Sequence, residues 1–400
     1  MKLFRVLAAL VAVLGGIALI RDTAYNGHDF EVFWNAARAL LQGSLPYEVG
    51  ADSGMVFKYP PWILPFFVPF AFFDLATAKW LWGVIEVAAL GSVGVWVWRS
   101  LKQGASEGAG VSVLGVGLCF WGLWAVHALD GQVALPILAL LLWNFPPGKS
   151  QGASHARMAW VLMLLTTKVF TIFAALGLLR RLRVRTIFLA ILFCGVMSVP
   201  ALFIYSQKSS TNSATTPAAF ALVQGWTQAA SSGVDRLGLE HVRGRANQGL
   251  PGLVLRNLSL GQLSESDTRT EVILFAVLTL ILGGWWWRQT GRRQLGPEQS
   301  WAGWLALAPV VHPLPWWHLF VWAYPLAVFA FAAAMGAKSG HKRNLALVGA
   351  CLGIFLLCFA TEKVMGPLGA SLEVLSVKSW GVLILAFVMS QCAKRTEKLL

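Results

Sequence analysis

Asp29 is the residue of this chain best placed for chemistry. It opens a polar, acidic segment, His28-Asp29-Phe30-Glu31, that follows a long apolar stretch. Two readings are open: a helix N-cap that serves structure, and a functional carboxylate facing water. Lys58 and Tyr59 precede Pro60 and Pro61, whose fixed φ holds them at the mouth of an apolar run. Lys58 is either a snorkelling lysine or a cation for a lipid phosphate. Downstream, Asp130 and Gln132 flank Gly131 between two apolar stretches, with His127 one turn earlier. Lys168 follows Thr166-Thr167, and His312 and His318 bracket Pro313-Leu314-Pro315-Trp316-Trp317. Glu86 sits inside an apolar run. An unpaired ionisable group at membrane depth costs several kcal/mol, so each of these is a functional candidate by default. Structural readings stand beside them. Glu86 can pair with Lys168 or another cation, and His312 and His318 can bond backbone freed by the prolines. Arg243, Arg245, Asn247 and Gln248 lie in a segment too polar for lipid, which either caps a cavity or is a solvated loop.

The elements that must position these residues are written in the hydropathy. Of 400 residues, 57% are hydrophobic and 12% charged, with a mean hydropathy of +0.64, which excludes an ordinary soluble domain. Apolar runs of span length recur from Leu3 to Cys392. The net charge of +14 falls in short clusters between them, at Arg99 and Lys102, at Arg180 to Arg185, and at Arg288 to Arg293. Such clusters follow the positive-inside rule and exclude a nucleic-acid stripe. The five cysteines lie in or beside apolar segments without metal-ligand spacing. Many of the 20 tryptophans stand near run ends, where an indole is half wet.

With the basic clusters inside, the first run leads outward into residues 21–77, and a second large outer loop covers 206–270. The count is ten spans plus a two-part re-entrant pair over Met158–Leu179, with Lys168 near its turning point. Trp62–Phe73, interrupted by Pro65 and Pro69, is too short to cross and is expected in the outer interface. Phe30, Phe33, Ala37, Leu40 and Leu41 share one face of a helix that ends at Gly43, so 28–42 reads as an amphipathic helix on the membrane surface. The expected architecture is an all-α polytopic membrane protein forming one integral domain over 1–400.

Taken in order, Asp29-Phe30, Ala36 to Gly43, Pro46-Tyr47, Tyr59-Pro60-Pro61, Gly131-Gln132, Lys168, Asn247-Gln248 and His312-Pro313 with Trp317-His318 cover most of the chain. This ordered set resembles the polyprenol-phosphate-mannose-dependent α-1,2-mannosyltransferases of the GT-C class. The resemblance implies a GT-C fold with roughly 10–12 spans and outer juxtamembrane helices. It also implies a polyprenyl-phosphate sugar as donor, and catalysis on the periplasmic or external side of the cytoplasmic membrane. The family's first-loop aspartate maps to Asp29, its lysine in the re-entrant stretch to Lys168, and its late histidine motif to His312 and His318. The chain departs from the family at Val133-Ala134, after the Gly-Gln turn, and at His312-Pro313-Leu314-Pro315.

On this reading Asp29 is the base for an inverting transfer of a hexose to a glycan or glycolipid acceptor. Lys58, Lys168, His312, Arg243 and Arg245 would hold the donor phosphate. His28, Tyr59, Asp130, Gln132, Asn247, Gln248, Trp316, Trp317 and His318 would line the substrates. The scheme requires no metal or other cofactor, and its partners are membrane lipid and the two substrates, not nucleic acid. Two rivals remain at this stage. A transporter predicts polar residues spread through the midplane. An O-antigen-ligase-like transferase places the essential residues in Glu240–Arg245.

Overall fold

The computed structural model describes residues 2–48, 55–103, 109–144, 155–167, 171–209, 217–231, 244–258, 266–293, 295–313, 315–337 and 340–392. Regular structure among them is helical. Helix α1 (Lys2–Tyr25) runs antiparallel to α3 (Leu75–Gln103), with Ile20 against Gly83 and Gly16 against Val87. Between them come α2 (His28–Gln42) and a proline-broken run of short turns, Pro61–Phe72. Next are α4 (Ala109–Cys119), α5 (Trp121–Asp130), α6 (Ala134–Asn144), α7 (His155–Leu165) and α8 (Val184–Ser209). The chain continues through α9 (Ala218–Ser231), α10 (Leu250–Leu258), α11 (Ser266–Arg293) and α12 (Pro297–Val311). A 3-10 turn, Trp317–Ala323, leads into α13 (Tyr324–Met335), then α14 (His341–Cys358), α15 (Pro367–Val374) and α16 (Val377–Cys392).

Among the described residues, five helical stretches are long and apolar enough to cross a bilayer, or seven if two bent pairs each count as one span. Other apolar helices among the described residues are short or bent. The α4–α5 pair bends by 56° at Phe120 and the α15–α16 pair by 70°, while α6 and α7 have only 11 residues each. The stretch 317–335 lies at the centre, with 83% of its apolar window buried. Helices α8 and α11, at 11% each, form the rim and present bare apolar faces such as Phe188, Ile191, Ile273 and Leu280.

The out-and-back course expected for Met158–Leu179 has a structural counterpart. His155, at the start of α7, lies 3.0 Å from Thr186, at the start of α8, so the two ends of this stretch sit side by side. Lys168 itself lies outside the described residues. The helix 28–42 is not laid on lipid. It buries Phe30, Val32, Phe33, Ala36, Ala37, Ala39 and Leu40 against protein, and stops where Gly43 turns left-handed (φ 78°). We call the side of the bundle that carries 26–74 the loop face.

Helices α11 and α12 touch where Gly303 admits the fully buried Trp286; a methyl there would stand 2.0 Å from the indole. The indole N–H is tied to the Ser300 carbonyl at 3.1 Å, so the ring has no room to retreat. Gly303→Ala is therefore expected to cost about 1–3 kcal/mol through overpacking. Gly284→Ala, with open space around it, is expected to be neutral or mildly stabilising. Melting temperatures in detergent compare the two, and equal values would show that Trp286 does not seal this contact.

Candidate active site

The loop face is organised around the tight turn that ends α5. Gly131 adopts φ 66° there, and its amide bonds back to the His127 and Ala128 carbonyls. A methyl at Gly131 would lie 2.9 Å from the Phe30 Cβ and 3.0 Å from the Gly27 Cα. The position thus needs both a left-handed backbone and the absence of a side chain. The Gly27 amide donates to the Leu129 carbonyl at 2.9 Å, and the Trp82 indole donates to the Gly131 carbonyl at 3.1 Å. These contacts bring the 127–132 turn against the start of α2, beside Asp29. From the other side, His318 Nδ1 meets Asp130 Oδ2 at 2.8 Å. The His318 side chain is 8% exposed and that of Asp130 35%, so the pair sits at a boundary with one oxygen-bearing end open.

Asp29 is not the cap of α2. Gly27 occupies that position with φ 50°, and Asp29 falls in the first turn, where a helix N-terminus favours negative charge. Asp29 is partly buried and exerts its charge on Tyr59. Burial first, and then Asp29, pushes the Tyr59 phenol well above its ordinary value. The ring stands edge-on to Phe33 at 5.2 Å and beside Phe57 at 5.6 Å. Phe33 in turn packs on Phe67 at 4.8 Å, so α2, the Tyr59 segment and the proline-broken run share one aromatic cluster. Lys58, partly buried, accepts the Trp226 indole N–H on its carbonyl at 3.2 Å. His28 begins α2 and is exposed. Gln132 is buried directly after the turn.

The 312–318 loop is held from its far side by 244–258 and 373–379. Asn247 donates to the Pro313 carbonyl at 2.6 Å, and the Gln248 amide to the Pro315 carbonyl at 3.2 Å. The Gln248 side chain is fully buried. It donates to the carbonyls of Arg245 and Glu373 and accepts the Lys378 amide. That carboxamide binds backbone at three residues, and Asn247 is likewise built into the loop. Arg245 pairs with Glu362, both side chains about half exposed, and lies 3.9 Å from Glu373. Arg243 lies outside the described residues. His312, Trp316 and Trp317 are partly buried at the open side of the same loop.

Three features escaped sequence reasoning. Glu86, inside the span of α3, has a partner the sequence did not name: it contacts His127 Nδ1 at 3.0 Å and Thr23 Oγ1 at 2.6 Å, one layer beneath the turn. Lys79, nearly buried, donates to the Asn26 carbonyl at 2.7 Å and to Glu31 at 3.1 Å, and so ties α3 to α2. Lys378 lies over the Trp317 ring at 5.5 Å and donates to the Leu357 carbonyl at 2.6 Å. The signal for Glu86 was its charge in an apolar run. Nothing local marks its partner.

Two outcomes follow. Asp130→Ala and His318→Ala should each lower the melting temperature, and the double variant should cost little more than either. The coupling is expected at about 0.5–1.5 kcal/mol, because Asp130 is partly solvated; additive losses would deny the pairing. Tyr59 supplies a pH test. With its folded-state pKa raised, its contribution is complete below the unfolded value of about 10 and declines as pH climbs beyond it. Tyr59→Phe should therefore flatten the alkaline fall in melting temperature relative to the parent. An unchanged slope would mean that the phenol ionises as freely in the fold as out of it.

Residues 57–313, well over half of the chain, match glycosyltransferase family 87; the match begins after Asp29 and ends before His318. No curated protein and no solved structure matches the chain. The match spans the turn after α5, the 158–179 stretch and the start of the late loop, in a helical bundle with membrane-length apolar helices. The chain belongs to glycosyltransferase family 87 and is a membrane glycosyltransferase.

Proposed function

We propose that this enzyme moves a hexose, mannose in our reading, from a polyprenyl-phosphate donor to a glycan or glycolipid acceptor. The transfer inverts the anomeric centre and takes place on the non-cytosolic side of the cytoplasmic membrane. One observation carries the reading: Asp29 with Tyr59, the Asp130–His318 pair and the 312–318 loop gather on one face, at the end of an apolar bundle. A donor whose tail stays in lipid while its phosphate and sugar meet water suits a site at that boundary.

In this scheme Asp29 takes the proton of the acceptor hydroxyl as its oxygen attacks the anomeric carbon. On the opposite face the bond from that carbon to the phosphate oxygen breaks, and polyprenyl phosphate leaves with the electron pair. The leaving group gathers negative charge, which Lys58, Lys168, His312 and Arg243 are assigned to neutralise; fixed cations act strongly where water is excluded. Arg245, about half exposed in its pair with Glu362, is assigned to the same set. Tyr59, Trp316 and Trp317 are assigned to sugar and prenyl faces, and His28, Asp130, Gln132 and His318 to sugar hydroxyls. The scheme uses no metal.

Membranes carrying the enzyme, incubated with labelled polyprenyl-phosphate hexoses, should yield a labelled glycan or glycolipid, with mannose preferred. Asp29→Asn should lower kcat by about 10²–10⁴ while donor binding persists, the range for loss of a general base. Ordinary turnover by Asp29→Asn would remove the base assignment, and transfer from nucleotide sugars alone would remove the donor.

A further inference from the structure

We infer that Glu86 is a positioning residue for the transfer site, acting through His127 on the turn that presents Asp130 to His318. The inference rests on the reading that this turn belongs to the active site. His127, buried at 1% exposure, grips the turn at both ends. Its carbonyl accepts the amides of Gly131 at 3.0 Å and Gln132 at 3.4 Å. Its Nε2 accepts the amide of Leu135 at 3.0 Å. Leu135 lies in the first turn of α6, where amides have no partner within the helix. The imidazole therefore caps α6 while its own backbone closes α5, and residues 128–134 are held between.

That grip works in one tautomer. An Nε2 that accepts an N–H bears no proton, so the proton of the neutral ring sits on Nδ1. Nδ1 is the nitrogen that faces Glu86 Oε1, at 3.0 Å. Glu86 is itself oriented by Thr23, whose hydroxyl donates to Oε2 at 2.6 Å from the neighbouring helix α1. With an apolar residue at 86, the Nδ1 proton would lose its carboxylate partner, and the Leu135 amide would be left to favour this tautomer without it. In the other one, a ring N–H would point at the Leu135 N–H and the cap would open. For packing alone, an apolar side chain of this volume would fill the place without the cost of burying a carboxylate. The polar chain runs on from there: the His127 and His318 rings meet edge to face at 6.4 Å, and His318 binds Asp130. Glu86 is thus connected to the site through the ring that fixes the turn and the ring that the turn presents.

The test compares Glu86→Leu, Glu86→Gln and His127→Phe with the parent enzyme in detergent. It reads kcat and KM for whichever donor the membranes accept, melting temperature, and the ¹⁵N shifts of ring-labelled histidine, with the His127 signals identified by their loss in His127→Phe. A carboxamide can still accept the Nδ1 proton and bond Thr23, so Glu86→Gln should keep the Nδ1–H tautomer and restore most of the rate. Glu86→Leu should lose about 10–100-fold in kcat, the scale of a displacement near 1 Å. Its KM should change far less, and His127 should show a mixed or reversed tautomer. Glu86→Leu with parental kcat, or with the parental tautomer, overturns the inference. So does a Glu86→Gln enzyme as impaired as Glu86→Leu, because that outcome assigns the role to charge and not to positioning. If Glu86→Leu does not fold, Glu86→Gln and its histidine spectrum decide the matter alone. If no polyprenyl-phosphate sugar is accepted, the proposed donor fails, while the tautomer and the rate on the true donor still judge Glu86.

Discussion

Asp130 and His318 are 188 residues apart in the chain and 2.8 Å apart in space. The pair joins the turn after α5 to the loop before α13, and each partner is anchored elsewhere. Asp130 is fixed by a glycine turn wedged against the start of α2, and His318 by a 3-10 turn whose Trp322 indole donates to the Ala134 carbonyl at 2.8 Å. A contact between two held ends sets a distance, so the first loop and the late loop face one another at a defined separation. The pair is also electrically needed. Asp29, Glu31, Glu86 and Asp130 place four carboxylates on this part of the loop face, and Glu86 feels the charge of Asp130. Among the described residues, Lys79 answers Glu31, His127 answers Glu86 and His318 answers Asp130.

The distribution of charge bears on how the proposed substrates would sit. An acid-rich half repels a phosphate and suits a hydroxyl that must lose a proton. In the proposed scheme the cations for the leaving phosphate, Lys58 and His312 among them, are separate in sequence from the Asp130 turn, and the scheme sets a border between carboxylates and cations within the site. Tyr59 belongs at this border: aromatic neighbours bury it, Asp29 keeps its proton on, and a neutral phenol can donate to a sugar oxygen at any physiological pH.

Local chemistry was legible in the sequence and long-range pairing was not. The face of α2, its stop at Gly43, the proline-broken run and the Gly131 turn all follow from residue type and spacing, and they are present as helix, left-handed stop and tight turn. Hydropathy measures affinity for lipid and says little about whether a helix is continuous. Phe120 interrupts an apolar stretch that reads as unbroken. Asp29 read equally as a cap, because capping residues are ranked by side chain and the chain used the left-handed Gly27 instead. Glu86 was conspicuous, yet its pairing with His127 depends on how α3 and α5 pack, which no window of sequence contains.

Helix breaks also explain why several cations and amides that looked like ligands are occupied by the protein. Where a membrane helix bends, carbonyls lose their partners, and lipid offers none. The 70° bend between α15 and α16 passes through Ser376 at φ 52°, a left-handed backbone that costs about 1–2 kcal/mol in a non-glycine residue. Arg256 meets this break directly, donating to the Val374 carbonyl at 3.1 Å and to Ser376 Oγ at 2.6 Å. Two more of its contacts reach the Gly244 and Asn247 carbonyls, and its burial lowers the guanidinium pKa to about 10. Gln248 takes the Glu373 carbonyl, and Lys378 that of Leu357. These side chains are long, with several donors each, which is what scattered carbonyls require. Their expense secures the bend that sets Lys378 over Trp317 and holds the late loop toward Asp130. The donors nearest the loop thus go to the scaffold.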